Sequence, residues 1–314
     1  MIETLKPWGR AIKYGWLQRI SEYKAQHNWL GDNNNDSPPV FLIGCGRSGT
    51  TILGYILSLH PDIFYLLEPY HLWAAIEPKT DILNFYHQID AHFLMNESHW
   101  TENSQDRFNR LFIKGFPNKK TKIVMEKTPI NTVRIGYLNA LAPEAKFIHI
   151  IRDGFDVACS IERLASTNQY KIANKPHLNQ WWGNNNYKWK AMMRDCIAAG
   201  YFPHEIDRLS DHRSKAAYEW LVSLSEVDCW REKLGDRLCE VTYTQLTKNP
   251  ESVLRNICAF LNLDMSNTWL EGAIAQVKPS KPSVPKTIVL PPAMCEAFNS
   301  YQERFGFTNR ATLI

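Results

Sequence analysis

The segment VFLIGCGRSGTT, residues 40–51, constrains the fold of this chain more than any other stretch. Its apolar start predicts a short strand, its glycines predict a tight turn, and the following TTILGYILSL predicts the beginning of a helix. Glycines let the backbone bend so that several N–H groups point into one concavity. The helix N-terminus adds free N–H groups and the positive end of its dipole. The segment is therefore predicted to bind a phosphate-like group.

The residues after the second glycine distinguish this loop from a nucleotide-triphosphate P-loop. The spacing of Gly44 and Gly49 resembles a P-loop, in which a lysine follows the second glycine. Here Thr50 and Thr51 follow, and the only cation in the loop is Arg47. The sequence therefore favours a ligand bound without triphosphate–magnesium chemistry. A P-loop nucleotide kinase or NTPase stays open as the alternative from a different class.

Composition indicates a folded, mildly basic chain. A length of 314 residues with 44% hydrophobic residues is enough for one large α/β domain or two small ones. The net charge of +4 suits an anionic cofactor but is too small to predict nucleic-acid binding. The cysteines are scattered without a CxxC pair, which predicts reduced thiols. No run approaches the roughly 18 apolar residues of a spanning helix, so we expect a cytoplasmic protein without a leader or a transmembrane segment.

Strand-like and helix-like patterns alternate along the chain. Apolar, branched runs predict strands at 40–44, 63–67, 122–126, 146–151 and 238–242. Helical patterns lie at 50–59, 70–95, 104–115, 131–141, 153–167, 212–234, 250–261 and 292–304. Such alternation is typical of βαβ units, and nearly all-apolar strands are typical of a sheet covered on both faces. We therefore predict an α/β, P-loop-like three-layer fold with a central parallel sheet flanked by helices.

The chain is predicted to consist of an extension and one domain. Residues 1–38 form a basic, aromatic helical extension and linker, which we expect to pack on the domain or on a partner subunit rather than on a membrane; a homodimer therefore stays open. Residues 39–314 form a single domain. Within it, residues 168–210 are interpreted as an irregular insertion, and the proline-rich residues 276–292 as a basic loop.

A second anion site is predicted where the strand in AKFIHIIRDGFDVACSIERL ends. Arg152 follows this strand, a helix begins near Gly154, and Ser160 comes two turns later. An arginine fork can bind a phosphate through two hydrogen bonds, and a serine hydroxyl can complete the contact. The alternative is a local ion pair between Arg152 and Asp153. Because ligands of open α/β sheets bind at such strand ends, the nearby glycine loop favours the phosphate site.

These motifs resemble those of a known family. GCGRSGTT resembles the 5′-phosphosulfate loop of sulfotransferases that use 3′-phosphoadenosine 5′-phosphosulfate (PAPS), and FIHIIRDGFDVACS resembles their 3′-phosphate motif. EKTP at 126–129 and VTYTQLTKNPESVLRNICAFLNL at 241–263 are also similar. The resemblance runs from about residue 39 to 263 in family order. It is closest to the tyrosylprotein and bacterial branches, which carry arginine in the loop.

The resemblance implies a PAPS-dependent sulfotransferase and a set of cofactor-binding residues. The 5′-phosphate would be held by Gly46, Arg47, Ser48, Gly49, Thr50 and Thr51, and the 3′-phosphate by Arg152 and Ser160. The tyrosylprotein branch has a further arginine where this chain has Leu164, and Arg163 lies one residue away, about 100° around a helix. Tyr243 would stack on the adenine. Lys281 and Lys286, with Ser280 or Ser283, would close over the 3′-phosphate.

Catalytic roles also follow from the resemblance and from strand ends. Glu68 ends the strand in DIFYLLEP and is the predicted general base, with a cap or a salt bridge as the alternative role. His71 is a second candidate on the same helix face if a helix starts at Pro69. Lys127 would contact the sulfuryl group or the bridging oxygen, with a surface lysine at a strand end as the alternative. Glu126 would be its partner or exposed to solvent, and Arg47 would stabilise the leaving group. No cluster of metal-ligand spacing appears in the sequence, and no divalent metal is expected.

The acceptor is the least constrained part of the prediction. We expect a small-molecule natural product such as an alkaloid, with a glycan, lipid or peptide as alternatives and with no nucleic acid as partner. A catalytically inactive module that still binds the cofactor is a third interpretation. Aromatic residues of the insertion could wall the acceptor site, or they could form a packed lid without substrate contact: Trp181, Trp182, Tyr187 and Trp189.

Overall fold

The centre of the molecule is a five-stranded, all-parallel β-sheet. A computed structural model of the chain describes residues 15–27, 37–86, 90–113, 122–167, 181–278 and 287–314. The strands lie in the order β2–β3–β1–β4–β5. Their bounds are β1 Val40–Ile43, β2 Ile63–Leu67, β3 Ile123–Lys127, β4 Lys146–Ile151 and β5 Leu238–Thr242. The predicted α/β fold with a central parallel sheet flanked by helices is confirmed.

Helices cover both faces of this sheet. They are α1 (15–26), α2 Thr50–Ser58, α3 Tyr70–Ile76, α4 Glu102–Phe108, α5 Ile135–Leu141, α6 Gly154–Thr167, α7 Tyr187–Ala198, α8 His212–Leu234, α9 Tyr243–Lys248, α10 Pro250–Leu261, α11 Asn267–Ala275 and α12 Pro292–Arg304. A second, two-stranded parallel sheet pairs β6 Val289–Leu290 with β7 Thr312–Leu313. Within the described ranges, no helix combines the length and the apolarity that crossing a membrane requires.

The alternation of side chains along β1 explains the three layers. Successive residues of a strand point to opposite faces of the sheet. Val40 and Leu42 pack into the cluster formed with α2, α10 and α11. Phe41 and Ile43 pack into the cluster formed with α3, α4 and α5. Because each fully buried side chain of this size contributes about 1.5–3 kcal/mol, a strand buried on both faces fixes the sheet between two helical layers.

The strand order decides where a site can form. In a parallel sheet all strands end at the same edge, and ligands of open α/β sheets bind there. The segment after β1 lies in the middle of this edge, the segments after β2 and β3 lie on one side, and those after β4 and β5 lie on the other. The five strand ends that define the edge are Ile43, Leu67, Lys127, Ile151 and Thr242.

The helix predicted over residues 70–95 is wrong beyond its first two turns. Helix α3 ends at Ile76, Glu77 is extended with φ −141°, and Pro78 follows. A proline disfavours the helical conformation of the residue before it and cannot donate a backbone hydrogen bond, which accounts for the break. From there to Asp90 the described chain is a short 3₁₀ turn and loop.

The insertion predicted over residues 168–210 is not irregular throughout. Residues 181–210 contain α7, whose buried Trp189, Met192 and Cys196 follow helical spacing. Residues 168–180 lie outside the described residues. Of the predicted extension, residues 1–14 and 28–36 also lie outside them, whereas α1 contacts the domain: Ala25 is buried, and its carbonyl accepts a hydrogen bond from Arg110 at 2.7 Å.

Candidate active site

A cleft of about 490 Å³ runs along the C-terminal edge of the sheet. This volume lies within the range of small-ligand sites. The cleft brings together the phosphate loop after β1, the segments after β2 and β3, and the residues that follow β4 and β5. Its lining residues are Gly46, Arg47, Gly49, Thr50, Thr51, Ile52, Tyr55, Tyr65, Leu67, Glu68, Pro129, Arg152, Trp181 and Tyr243.

The loop after β1 delivers the N-terminus of α2 to the middle of the cleft. Gly49 is the N-cap of α2 with φ 102°, a left-handed conformation that favours glycine. No side chain of the described chain caps this helix, so its first N–H groups face the cleft. The N–H of Ser48, however, donates to the carbonyl of Cys45 at 3.0 Å and closes the turn. The predicted phosphate contact of Ser48 therefore competes with a hydrogen bond inside the loop.

Arg47 links the loop to the second anion site. Its backbone is left-handed with φ 75°, and its side chain is exposed. The guanidinium Nε donates to Oγ of Ser160, on α6, at 3.2 Å. A non-glycine residue held in this conformation costs of order 1 kcal/mol and is typically found at functional sites. Two predicted cofactor residues, 113 positions apart in the chain, are thus in direct contact.

Arg152 lies beside the loop at the end of β4. Its guanidinium stands 4.8 Å from the ring centroid of Tyr243 and pairs with Asp156 at 2.9 Å. The alternative partner considered from the sequence, Asp153, instead accepts hydrogen bonds from the N–H of Phe155 and from other side chains. Arg163 is exposed on α6. A cation stacked on an aromatic ring at a strand end is a suitable partner for a phosphate.

Glu68, Lys127 and Thr51 form a connected group on the β2–β3 side. Nζ of Lys127 donates to Oε1 of Glu68 at 2.5 Å and to Oγ1 of Thr51 at 2.9 Å. Lys127 is fully buried, whereas Glu68 is partly exposed to the cleft. Glu68 has a left-handed backbone with φ 46°, and its N–H donates to the carbonyl of Lys127 at 2.8 Å. Because a buried charge needs a partner, the Glu68 carboxylate is the counter-charge of the buried Lys127.

Glu126 does not take the role predicted for it. Its carboxylate accepts hydrogen bonds from Trp73 and Asn131, each at 3.0 Å, and from the hydroxyl of Thr128. Burial raises the pKa of Glu126 to about 7, although these hydrogen bonds and the charge of Lys127 oppose the shift. Glu126 is therefore neither exposed to solvent nor the hydrogen-bonded partner of Lys127, because strand alternation turns it to the opposite face.

His71 differs from its predicted placement as well. Helix α3 starts at Tyr70, and Glu68 lies outside it, so the two residues do not share a helix face. The lining of the cleft includes Glu68 but not His71. Burial lowers the pKa of His71 to about 4. An imidazole that lies outside the cleft lining and whose pKa is lowered in this way is a weaker base and a poorer candidate than Glu68.

The aromatic residues of the insertion separate into one wall and several core residues. Trp181 lines the cleft, whereas Trp182 and Trp189 are buried in the core and contact each other edge to face at 5.5 Å. The hydroxyl of Tyr187 accepts a hydrogen bond from the N–H of Ala91 at 3.0 Å. Four further predicted contacts, Ser280, Lys281, Ser283 and Lys286, lie outside the described residues.

Tyr65 is a cleft residue that the sequence reasoning missed. It lies on the edge strand β2, three residues before Glu68. Its hydroxyl is buried without a hydrogen-bond partner among the described residues. Burial and the charge of Glu68 raise its pKa, which indicates how near the two side chains are. The sequence feature that could have identified it is a tyrosine in the strand that leads to the predicted base, Glu68.

The arrangement has the parts that transfer of an anionic group between two ligands needs. Loop N–H groups and two arginines supply positive charge in the middle of the cleft and on its β4–β5 side. A carboxylate supported by a buried lysine stands on the β2–β3 side. In the described ranges, no group of three or more histidines, cysteines, aspartates or glutamates could hold a metal ion.

Comparisons with known proteins agree with this geometry. A model of the sulfotransferase family matches residues 38–267. A protein-tyrosine sulfotransferase of Drosophila melanogaster is 21% identical over 267 residues, which cover 81% of this chain and 44% of that protein. The nodulation protein NoeE of Sinorhizobium fredii (strain NBRC 101917 / NGR234) is 30% identical over 129 residues, which cover 39% of this chain and 30% of that protein. The chain thus spans between about a third and a half of the length of these relatives.

Solved structures share the fold. The sulfotransferase domain from the curacin biosynthetic pathway aligns with a TM-score of 0.51 and 15% identity over 87% of this chain and 99% of that domain. The sulfotransferase domain from the Synechococcus PCC 7002 olefin synthase aligns with a TM-score of 0.50 and 18% identity over 90% of this chain and 100% of that domain. Since the family model covers most of the chain, from the strand before the phosphate loop to the helices after β5, the chain belongs to the sulfotransferase family.

Proposed function

We propose that this chain transfers a sulfuryl group from PAPS to a hydroxyl group, or an amine, of a small acceptor. One observation carries the proposal. A phosphate loop with arginine in place of the P-loop lysine lies in one cleft between a second cationic site and a glutamate paired with a buried lysine. PAPS is the donor whose two anionic ends match the two cationic sites. Residues 39–314 would act as one catalytic domain.

Two sets of residues would hold the donor. The first N–H groups of α2 and the Arg47 guanidinium would hold the 5′-phosphosulfate end, because a helix N-terminus and a guanidinium both stabilise negative charge. Arg152 and Ser160 would hold the 3′-phosphate, which would compete with Asp156 for the Arg152 guanidinium. The ring of Tyr243 lies in the same part of the cleft and could stack on the adenine.

The donor supplies a sulfuryl group, whose bond to the 5′-phosphate oxygen breaks as the acceptor oxygen bonds to sulfur. Arg47 would neutralise the charge that develops on the leaving phosphate. Glu68 would take the acceptor proton, since its carboxylate is the one that faces the cleft on the β2–β3 side. Lys127 is fully buried beneath Glu68 and Thr51, so it would act through these two side chains by holding the Glu68 carboxylate and the Thr51 hydroxyl in place.

Apolar surfaces beside Glu68 support an acceptor with an apolar or aromatic body. On the β2 side, the cleft is walled by Ile52, Tyr55, Tyr65 and Leu67. A smaller pocket continues behind the loop and is lined by Gly46, Tyr70, Ile82, Leu83, Pro129, Ile130 and Trp181, with Lys188 and Glu219. Because Lys188 and Glu219 bind each other, the described walls are mostly apolar and offer a glycan few polar partners. We therefore favour a small natural product, such as an alkaloid, over a glycan, lipid or peptide.

Ligand-dependent thermal unfolding tests the proposal. The product nucleotide 3′-phosphoadenosine 5′-phosphate (PAP), at about 100 times its Kd, should stabilise the protein by about 2.7 kcal/mol. ATP with magnesium should stabilise it much less, since the loop has no lysine to hold a γ-phosphate. Stabilisation by ATP–magnesium alone would favour the nucleotide kinase or NTPase. Incubation with PAPS and a panel of phenols, alcohols and amines, followed by mass spectrometry, then tests transfer and separates an enzyme from a binding module.

A further inference from the structure

A buried cluster of three side chains lies behind the phosphate loop. Nε1 of Trp181 donates to Oε2 of Glu219 at 2.9 Å, and Nζ of Lys188 donates to Oε1 of the same carboxylate at 2.6 Å. All three residues are less than a tenth exposed. One carboxylate on α8 therefore holds an indole from one side and an ammonium group from α7 from the other.

The ammonium group also fixes the indole through its π face. Nζ of Lys188 stands 4.6 Å from the ring centroid of Trp181 and 5.5 Å from that of Trp182. Cation–π attraction is strongest where the cation is desolvated, as it is here. Rotation of the Trp181 side chain would break both this contact and the hydrogen bond to Glu219. The cluster therefore holds the indole in one orientation.

The fixed indole rests on the loop itself. A Cβ atom placed on Gly46 would lie 2.7 Å from Cη2 of Trp181, closer than such atoms approach, and 3.0 Å from Cζ2. The absence of a side chain at Gly46 is what lets the benzo ring of Trp181 reach the backbone.

Cys45, the preceding loop residue, meets α8 directly. Its side chain belongs to the same buried apolar cluster as residues of α8, and burial and the charge of Glu219 raise the pKa of its thiol. Helix α8 thus supports two successive residues of the loop.

The energetic cost of the cluster calls for a function. A buried ion pair is often no more stable than apolar side chains of the same volume, because desolvation offsets the attraction of the charges. The Lys188–Glu219 pair lines the small pocket behind the loop and does not line the cleft that contains Arg152. What the pair does accomplish is to fix Trp181, the described side chain that lies nearest to Gly46.

We propose that Trp181, held by Glu219 and Lys188, is a positioning residue that fixes the backbone of Gly46 and thereby the loop N–H groups that bind the 5′ end of the donor. The inference rests on the proposed function, since it assigns a support to the same nucleotide site. Such a support would prevent the loop from relaxing away from the position that the phosphosulfate requires, and small displacements of binding groups have large effects on transfer rates.

Two nucleotides that differ only at the 5′ end test the proposal. Trp181→Phe removes the Nε1–H donor and the part of the ring that reaches Gly46. Calorimetric titration should show that this variant binds PAP about tenfold more weakly, which corresponds to one charge-assisted hydrogen bond. Its affinity for adenosine 3′-monophosphate should be unchanged, because that ligand lacks the 5′-phosphate. A residue that only stabilises the fold would not discriminate between the two ligands.

A second variant keeps the proposal testable if Trp181→Phe does not fold. The double variant Lys188→Met, Glu219→Gln removes both charges together, so no unpaired charge stays buried. It should show the same selective loss of PAP affinity. The matched control is Trp230→Phe, a buried tryptophan on α8 that lies 11 residues, or about 16 Å, from Glu219. The control should leave the ratio of the two affinities unchanged.

The possible outcomes separate the inference from the function it rests on. The positioning role would be overturned if Trp181→Phe and the double variant both lose affinity equally for the two nucleotides, or lose it for neither. The wild type would still bind PAP in that case, and the proposed function would stand. A wild type that does not bind PAP would overturn the proposed function, and the inference with it. A selective loss of PAP affinity in Trp181→Phe or in the double variant, with an unchanged affinity ratio in Trp230→Phe, supports both the positioning role and the proposed function.

Discussion

Two residues at the cleft have a backbone conformation that side chains rarely adopt. Arg47 has φ 75° and Glu68 has φ 46°. Each such residue costs of order 1 kcal/mol, which the surrounding structure must offset. For Glu68 the hydrogen bonds with Lys127, one from its N–H and one to its carboxylate, fix the position. The two strained backbone positions thus carry the side chains with proposed roles in transfer: Arg47 would stabilise the leaving group, and Glu68 would take the acceptor proton.

Substitution of Glu68 and of Arg152 should separate transfer from donor binding. Glu68→Gln keeps the shape of the side chain but removes the base, so we expect a loss of about 10²–10⁴-fold in kcat with little change in the Kd for PAP. Arg152→Ala removes a guanidinium at the 3′-phosphate site and should raise that Kd at least about tenfold. Transfer assays and calorimetric titration measure the two effects. Equal loss of PAP affinity in both variants would contradict the assignment.

Gly49→Ala should damage the phosphate loop for two independent reasons. The residue has φ 102°, and an added Cβ would lie 2.5 Å from Cδ2 of Tyr243. We expect a destabilisation of about 1–3 kcal/mol and weaker PAP binding, because Tyr243 must move from its place beside Arg152. The control is Gly272→Ala in α11, where an added Cβ meets nothing within 4 Å. Urea unfolding should show that this control is neutral or stabilised by up to about 1 kcal/mol.

At the scale of elements, the five strands of the central sheet were predicted within one residue at each end, whereas β6, β7 and several helices were not predicted. Runs such as VFLI in β1 are apolar and branched, and burial on both faces makes them conspicuous in a sequence. Helix α7 was missed because polar residues such as Lys188 and Asp195 occupy some of its buried positions and interrupt the apolar pattern. Helix α11 was missed too: it begins at the N-cap Ser266, immediately after the segment that carries the family motif.

Site residues could be predicted where they lie at strand ends, and could not be predicted where they depend on contacts between distant segments. Residues at strand ends, such as Glu68, Lys127 and Arg152, could be predicted to share an edge, because parallel strands all end on one side. Contacts between side chains far apart in sequence could not. The hydrogen bond from Trp181 to Glu219 spans 38 residues, and no pattern in either segment indicates the other. The roles of the predicted site residues stay predictions until they are tested.

The N-cap of α8 allows a test of the stability of the fold at a residue with no proposed role in transfer. Asp211 accepts hydrogen bonds from the N–H groups of Arg213 at 2.9 Å and Ser214 at 3.0 Å. Asp211→Ala should lower the free energy of unfolding by about 1 kcal/mol, the usual value of such a cap. Urea unfolding measures this loss. Because α8 keeps its packing against α6, the Kd for PAP should not change; a matching loss of PAP affinity would show that the loop depends on the very start of the helix.

At the scale of the whole molecule, a charged network ties the sheet edge to the C-terminal helix. Glu240 on β5 contacts His149 on β4 at 3.0 Å and pairs with Arg231 on α8. Arg231 also binds Asp228 at 2.8 Å, and Asp228 accepts hydrogen bonds from Tyr301 and Arg304 on α12. Partly buried networks of this kind couple elements that are distant in sequence. None of these six residues lines the cleft, so the network serves stability.

Glu240→Gln should therefore change the pH dependence of stability and spare transfer. Burial alone would raise the pKa of Glu240, but hydrogen bonds from His149 and Arg231 outweigh it and lower the pKa to about 2. A carboxylate whose folded pKa is depressed stabilises the fold above its unfolded pKa, and this contribution disappears as the pH falls through the folded value. At pH 7 the variant should lose up to about 3 kcal/mol of its free energy of unfolding, and the difference from wild type should shrink between about pH 4.5 and pH 2.

The control is Glu251→Gln, in an exposed pair with Arg255 on α10, which should cost less than about 0.5 kcal/mol at any pH. Urea unfolding across this range measures both variants, and a constant difference between Glu240→Gln and wild type would mean that the charge of Glu240 does not stabilise the network.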